Sequence, residues 1–408
     1  MAGKSEDASS LDEATPCQWY IYGDLLESRG QSDAALAAYK LGCAKAEAIE
    51  NGTYLVTGYD RIAVLTERAG NLSAAITSFE NSLALTEIML EENPGDEQLQ
   101  RDVAICHDSL GRVHLRDGNI VAARAAYEAS LAISEQLVAT APDDLERKRD
   151  LLICYNNLGD AAMEQGDLPA ARGCHERALA IAEQLLASAP ENTQWQRDIT
   201  ICHFRLGDMA MQEHDFVVAR SAYEASLAIR QRLFSADPEN EDRQIDLVSS
   251  YDKMYRLCIA EGDSVSARLA CEAALPIEEK MASTEMDKAS LYLDVLFRLQ
   301  MIGDLIAAEG NDNALPPYFE TGLARVIAFA SKNDLDSYDQ TEFASGMKSM
   351  GNLLLRLGDK AAALSAFQAS LALDERLHSL DPQNVTLQHA LDTTRKAISD
   401  LESTKQLS

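Results

Sequence analysis

Apolar residues return along this chain at steps of three and four, with polar residues between them, and that spacing predicts amphipathic helices along nearly its whole length. Residues 142–190 show one stretch of the pattern. Pro142-Asp143-Asp144 makes a turn and a helix start, its Asp side chains placed to accept from N-terminal amides that lack a partner within the helix. From about Leu145 to Glu164, one helix is marked by Leu151, Leu152, Tyr155, Leu158, Ala162 and Met163. Gly166-Asp167 ends it, because Gly tolerates the left-handed residue after a helix and Asp caps the next one. A second helix runs to about Ala187 on Leu168, Ala171, His175, Ala178, Leu179, Ile181, Ala182 and Leu185.

The punctuation repeats. Gly70, Gly118, Gly166, Gly262, Gly310 and Gly358 fall on a period of 48, each followed by Asn or Asp, and His214-Asp215 fills the missing step. Asp102, Asp150, Asp198, Asp246 and Asp294 keep the same period, as do seven leucines from Leu83 to Leu371. Pro94, Pro142, Pro190, Pro238 and Pro382 follow 24 residues after their Gly or His, while Met286 and Asp334 replace Pro in two units. Gly30, Ala35 and Tyr39 match Gly70, Ala75 and Phe79 at a shorter separation of 40, which adds one unit at the front. A single helical hairpin cannot bury its apolar stripe, so consecutive hairpins must stack. The expected fold is all-α: an α-solenoid of about eight stacked antiparallel hairpins over residues 16–383, wound as a right-handed superhelix, with no sheet. A disordered acidic N-terminus is expected over 1–15, a capping helix over 384–402 and a tail over 403–408. In the cap, Val385, Leu387, Leu391, Ile398 and Leu401 supply the apolar stripe, and Thr393, Lys396 and Asp400 face water. Two departures from the frame carry expectations of their own. Tyr255 stands where other units have Gly, so its hairpin should splay, and Leu315-Pro316-Pro317 replaces Ala-Ala-Arg, so helix lengths or pitch should change over 284–345.

Several units share a short pattern: in the first helix an aromatic or His, two residues, Leu-Gly, two residues and Ala, and in the second helix Ala, three residues and an aromatic or His. Residues Tyr155, Leu158-Gly159 and Ala162, then Ala171 and His175, show it; so do His203, Leu206-Gly207 and Ala210, then Ala219 and Tyr223. Trp19, Gly23, Leu26, Ala35 and Tyr39 keep part of it at the front, and Met347, Gly351, Leu354, Ala363 and Phe367 at the back. From residue 17 to about 382 the chain thus resembles the tetratricopeptide repeat superfamily, whose standard repeat is about 34 residues. Each helix here is about two turns longer, which is similar to the long-helix variants of that family. Gly111, Gly159, Gly207, Gly303 and Gly351 are read as the points where the helices of one hairpin approach most closely, with Ala123, Ala171, Ala219, Ala267 and Ala363 facing them. Arg124 with Glu128, Arg172 with Glu176, Arg220 with Glu224 and Arg268 with Glu272 form repeated i,i+4 pairs, expected on a solvated face.

Charge changes the list of partners. The 36 Lys and Arg against 66 Asp and Glu leave a net charge of −30, the opposite of what phosphate binding or an anionic membrane surface requires. No apolar run approaches a spanning helix, and residues 1–16 do not read as a secretory signal, so the expected setting is the cytoplasm.

Candidate chemistry is sparse. Cys106-His107, Cys202-His203 and Cys174-His175 look like ligand or nucleophile pairs, but Cys106, Cys154 and Cys202 share the 48-residue register with Ser250 next, which fits one buried structural position. Adjacent helical residues also point about 100° apart and cannot chelate one ion. No phosphate loop and no Gly-x-Ser-x-Gly elbow occurs. No catalytic, cofactor or metal site is therefore expected, and no enzyme. The resemblance implies recognition of a protein or peptide in a concave groove lined by first helices. Two columns on those helices change identity while the frame stays fixed. One is Asp60, Asp108, Asn156, Phe204, Asp252, Gln300 and Lys348; the next is Arg112, Asp160, Asp208, Arg256, Asp304 and Asn352. Their acidic excess favours a partner segment that is basic or of mixed charge. Asn156-Asn157 and Arg205 loosely resemble the carboxylate clamp of chaperone-binding members, without its Lys residues. The second functional reading is a regulatory subunit that switches a separately encoded effector, such as a protease. A homo-oligomer is compatible with the pattern but is not indicated by it.

Overall fold

The computed structural model describes residues 14–284, 289–310, 315–332 and 335–405. All regular elements among them are helices: α1 (Pro16–Ser28), α2 (Ser32–Ala48), α3 (Gly52–Arg68), α4 (Leu72–Glu92), α5 (Glu97–Arg116), α6 (Ile120–Thr140), α7 (Leu145–Glu164), α8 (Leu168–Ser188), α9 (Thr193–Gln212), α10 (Phe216–Ala236), α11 (Glu241–Glu261), α12 (Ser264–Thr284), α13 (Ala289–Ala308), α14 (Pro317–Lys332), α15 (Ser337–Arg356), α16 (Lys360–Leu380) and α17 (Val385–Lys405). They form two compact units that divide within α9, Met1–Met209 and Ala210–Ser408. In the first, the hairpins α1–α2, α3–α4, α5–α6 and α7–α8 stack in chain order and α9 follows. In the second, α10 is followed by the hairpins α11–α12, α13–α14 and α15–α16 and then by α17. The architecture is an α-solenoid. No helix among the described residues is long and apolar enough to cross a membrane.

The turns follow from the repeated Gly-Asn/Asp. Gly30, Gly70, Gly118, Gly166, Gly262, Gly310 and Gly358 all take φ between 66° and 84°, the left-handed conformation that ends a helix. His214 occupies the same conformation at φ 59° in the one turn without glycine. The next residue caps the following helix: Asn71, Asn119, Asp167, Asp215 and Asp359 each accept from a backbone N–H three residues on.

The interior glycines have a different reason from the one their spacing suggests. A Cβ on Gly111 would lie 2.5 Å from Tyr127 Cε1, on Gly159 2.4 Å from His175 Cε1, and on Gly351 2.8 Å from Phe367 Cε1. What fills the space is thus the ring of the second helix rather than an approaching backbone. Ala123, Ala171, Ala219, Ala267 and Ala363, each 0% exposed, complete the contact. The hairpin α11–α12 transposes the pair: Tyr255, on the first helix, packs against the core, and the second helix offers the small, buried Cys271 where the ring would be. The ring has changed helix, which is why Tyr255 replaces a glycine.

Helix α14 has 16 residues where α12 and α16 have 21, and Pro317 begins it. Helix α17 extends to Lys405, past the expected end of the cap. Leu391 and Leu401 are buried, but Val385 is 81% exposed; the third anchor is Thr394, whose hydroxyl donates to Asp374 Oδ2 at 2.9 Å. At the front, Thr15 caps α1 by accepting from the Gln18 backbone N–H. The expectations for residues 1–13 and 406–408, and for Met286 and Asp334, lie outside the described residues.

Candidate functional site

Stacking turns the first candidate column inward. In the first unit Asp60 is half-buried and accepts from Ser82 Oγ at 2.6 Å, and burial raises its carboxyl above the usual range. Asp108 Oδ2 accepts from Cys154 Sγ at 3.7 Å while Oδ1 is buried with no partner, and burial pushes this carboxyl up to about 6. Asn156 is 4% exposed, its Nδ2 3.5 Å from Cys202 Sγ, and Phe204 is 9% exposed. Asp60, Asp108 and Asn156 form a polar seam between consecutive hairpins, beside the thiols of Cys106, Cys154 and Cys202. Ser82 Oγ lies 3.7 Å from Cys106 Sγ, and Ser130 Oγ 3.3 Å from Cys154 Sγ.

The second column lies further out, and Arg112, Asp160 and Asp304 in it are tied by ion pairs between hairpins. Arg112 and Arg116 both bind the buried Glu67 carboxylate, Arg116 at 2.7 Å. Asp160 accepts from Arg205 Nη2 at 2.5 Å, so Arg205 is engaged within the fold and Asn156 is buried, and neither stands open to a terminal carboxylate. Asp208 is half-buried one turn beyond Arg205. The i,i+4 pairs also reach across hairpins: Arg124 Nη1 donates to Gln165 Oε1 at 2.7 Å and Arg268 Nε to Glu309 Oε1 at 2.9 Å.

The periodic aspartates are latches. Arg101 Nε donates to Asp150 Oδ2 at 2.6 Å and Arg149 Nε to Asp198 Oδ2 at 2.7 Å, each linking a first helix to the next one. A glutamine four residues earlier also donates, Gln194 to Asp198 at 3.0 Å beside the arginine, and Gln98 to Asp102 at 2.7 Å where Thr53 stands in the arginine register.

In the second unit Asp294 lacks both kinds of donor. Ile245 and Ser290 occupy the registers of the arginine and the glutamine that would hold Asp294, and Asp294 makes no hydrogen bond or ion pair among the described residues. One turn along, Arg298 takes the register of Cys106, Cys154, Cys202 and Ser250. It is 6% exposed, with Nη2 2.6 Å from Glu278 Oε1, Nε 3.0 Å from Glu278 Oε2 and Nη1 2.7 Å from Asp252 Oδ1. Burial works against the charge of Arg298, but those hydrogen bonds outweigh it and hold the pKa above its usual value. Around this group opens a pocket of 370 Å³, walled by α11, α12 and α13: Val248, Asp252, Tyr255, Arg256, Glu278, Asp294, Phe297, Arg298 and Met301. Arg256 is exposed and makes no ion pair among the described residues. Desolvation at the pocket wall raises the Asp294 carboxyl, with the charge of Arg298 opposing it. Asp252 and Arg256 were named from the sequence; Asp294, Phe297 and Arg298 were not, although an arginine in a column of cysteine and serine is a visible signal. The remaining candidates lie apart from the pocket. Asp304 accepts from Arg356 Nη2 at 2.5 Å, Lys348 Nζ is 3.4 Å from Asp374 Oδ2, and Asn352 is exposed.

Six of the eight thiols are buried, while Cys174 is half-buried and Cys17 exposed. Burial pushes Cys106 up to about 11 and Cys154 up to about 12, away from thiolate chemistry at neutral pH. His175 is 0% exposed with neither ring nitrogen hydrogen-bonded, and burial brings its pKa down to about 4, so it serves as a neutral ring against Gly159. Among the described residues no group of three or more His, Cys, Asp or Glu is placed to hold a metal ion.

Stacked hairpins, most of them with an alanine-and-ring contact, define a helical repeat protein. Residues 151–189 match the tetratricopeptide repeat family. The chain thus carries a tetratricopeptide repeat at residues 151–189, set within an α-solenoid similar to those of tetratricopeptide repeat proteins. Its fold is similar to that of a signal transduction ATPase with numerous domains from Pyrococcus horikoshii that has a tetratricopeptide repeat sensor (12% identity, 94% of this chain and 50% of that one, TM-score 0.52). It is also similar to the apo form of RapI (13% identity, 72% and 92%, TM-score 0.50). A looser likeness is to BtubC (BKLC) from P. vanneervenii (18% identity, 60% and 90%, TM-score 0.47). No curated protein matches the chain in sequence.

Proposed function

We propose that this chain is a non-enzymatic scaffold or adaptor that docks a protein or peptide segment on the first-helix face, and that in the second unit the docking site is the pocket around Arg298. The observation that carries the reading is local. Asp150 and Asp198 are held by arginine and Asp102 by Gln98, whereas Asp294 has neither donor and faces one pocket with Arg256, with Phe297, 42% exposed, beside them. Unsatisfied charge of both signs next to an accessible ring is what a polar interface with an aromatic anchor offers. A segment of mixed charge answers both groups, and the net charge of −30 speeds the approach of its basic part.

The test is affinity capture from the organism of origin with the wild-type chain and with Arg256→Glu and Phe297→Ala, bound proteins being quantified by mass spectrometry. A partner retained by the wild type and depleted by both substitutions supports the reading. A partner retained equally by all three places the interface elsewhere.

A further inference from the structure

We propose that the pocket between α11 and α13 receives one basic side chain, arginine or lysine, from the docked segment; this rests on the reading just given and specifies what the segment inserts. Three carboxylates, Asp252, Glu278 and Asp294, face two guanidinium groups, Arg256 and Arg298. Arg298 is already saturated, with both oxygens of Glu278 and one of Asp252 on its nitrogens, so an incoming anion would have to displace a buried carboxylate to reach it. Asp294 is the reverse case. Its repeat position is held by arginine at Asp150 and Asp198 and by glutamine at Asp102, and Ile245 and Ser290 withhold both donors here. An inserted basic side chain replaces the missing latch with one from another chain. The walls suit the rest of such a side chain: Tyr255, Phe297 and Met301 offer apolar surface for its methylene stem, and the ring faces attract a cation. At 370 Å³ the pocket lies at the small end of ligand sites, enough for one side chain. Arg256 at the exposed rim then meets an acidic residue adjacent to the inserted one, which accounts for mixed charge in the partner.

The experiment uses the full chain with methionine methyl groups labelled with ¹³C, the Met301 signal being assigned by Met301→Leu. The probes are the N-acetyl, N′-methylamide derivatives of arginine, lysine, norleucine and glutamate. The two basic probes should move the Met301 signal saturably, and the norleucine and glutamate probes should leave it in place. Asp294→Asn, which is isosteric, should weaken the response about fivefold, as loss of one partly exposed ion pair does. Ile245→Arg, which restores the latch from within the chain, should abolish it. An equal response to norleucine, a response to glutamate, or an unchanged response in Asp294→Asn would overturn the proposal. If the basic probes fail while a partner is still captured through Arg256 and Phe297, the inserted group is wrong and the docking face stands. If they succeed and no partner engages that face, the docking reading fails alone.

Discussion

Gly111 gives the most quantitative handle on how the hairpins are built. Replacing it with alanine puts a methyl carbon 2.5, 2.6 and 2.9 Å from three ring atoms of Tyr127, a side chain only 2% exposed. Ordinary contact begins near 3.5 Å, so the ring or the two helices must shift, and overpacking of this kind costs about 1–3 kcal/mol. Alanine in mid-helix returns about 1 kcal/mol of propensity over glycine. A net loss of about 1 kcal/mol is expected. The diagnostic step is to repeat the change in Tyr127→Cys, a substitution that removes the ring and costs about 3 kcal/mol by itself. With the ring gone only the propensity gain remains, so Gly111→Ala should stabilise that background by about 1 kcal/mol, giving a coupling near 2 kcal/mol across the cycle. The chain contains the same exchange in Tyr255 and Cys271. Urea unfolding followed by far-ultraviolet circular dichroism measures the cycle, with a nearest-neighbour fit because stacked repeats need not unfold together. Gly111→Ala that stabilises the wild type, or that has the same effect in both backgrounds, would refute the ring-filled glycine.

Three further outcomes follow from single groups. Asp108 has its folded pKa raised to about 6, so its contribution to stability is present below the unfolded pKa near 3.9 and lost as pH rises through 6; Asp108→Asn should remove that decline and be more stable than wild type at pH 7 by up to about 2 kcal/mol, measured as urea midpoints from pH 4 to 7.5. Arg149→Ala strands Asp198, whose side chain is 5% exposed, with only Gln194 to donate, and should destabilise by about 3 kcal/mol in the same assay. His214→Gly relieves a left-handed conformation that costs a residue with a Cβ about 1–2 kcal/mol, against about 0.5–1 kcal/mol of added chain freedom, so a thermal melt should show a small stabilisation.

Helix number, turn positions and caps were legible because each depends on local chemistry repeated at one spacing: a left-handed glycine, an Asn or Asp after it, a stripe at three and four. The candidate site was legible only in part. Residues that vary on a first helix read as a groove-facing surface; Asn156 and Phe204 vary inside the stack instead, each buried between hairpins, with Asn156 beside the Cys202 thiol. Arg298 and Asp294 needed two registers compared at once. Asp294 alone continues a column, and its significance arises from Ile245, 49 residues earlier, a separation at which Arg101 and Arg149 show what is missing. The transposed ring at Tyr255 was hidden for the same reason, since Cys271 looks unremarkable until it is set against Tyr127, His175 and Phe367.

The central claim, that a partner docks on the first-helix face around the Arg298 pocket, is tested most directly by site-specific photocrosslinking in living cells. A benzophenone amino acid is placed at Phe297, on the pocket, and separately at Leu269, which is 55% exposed on the second helix α12. The expected result is one discrete adduct from position 297, absent from position 269 and strongly reduced when Asp294→Asn is combined with the probe. Adducts of equal yield from both positions, or an adduct from 269 alone, would contradict it.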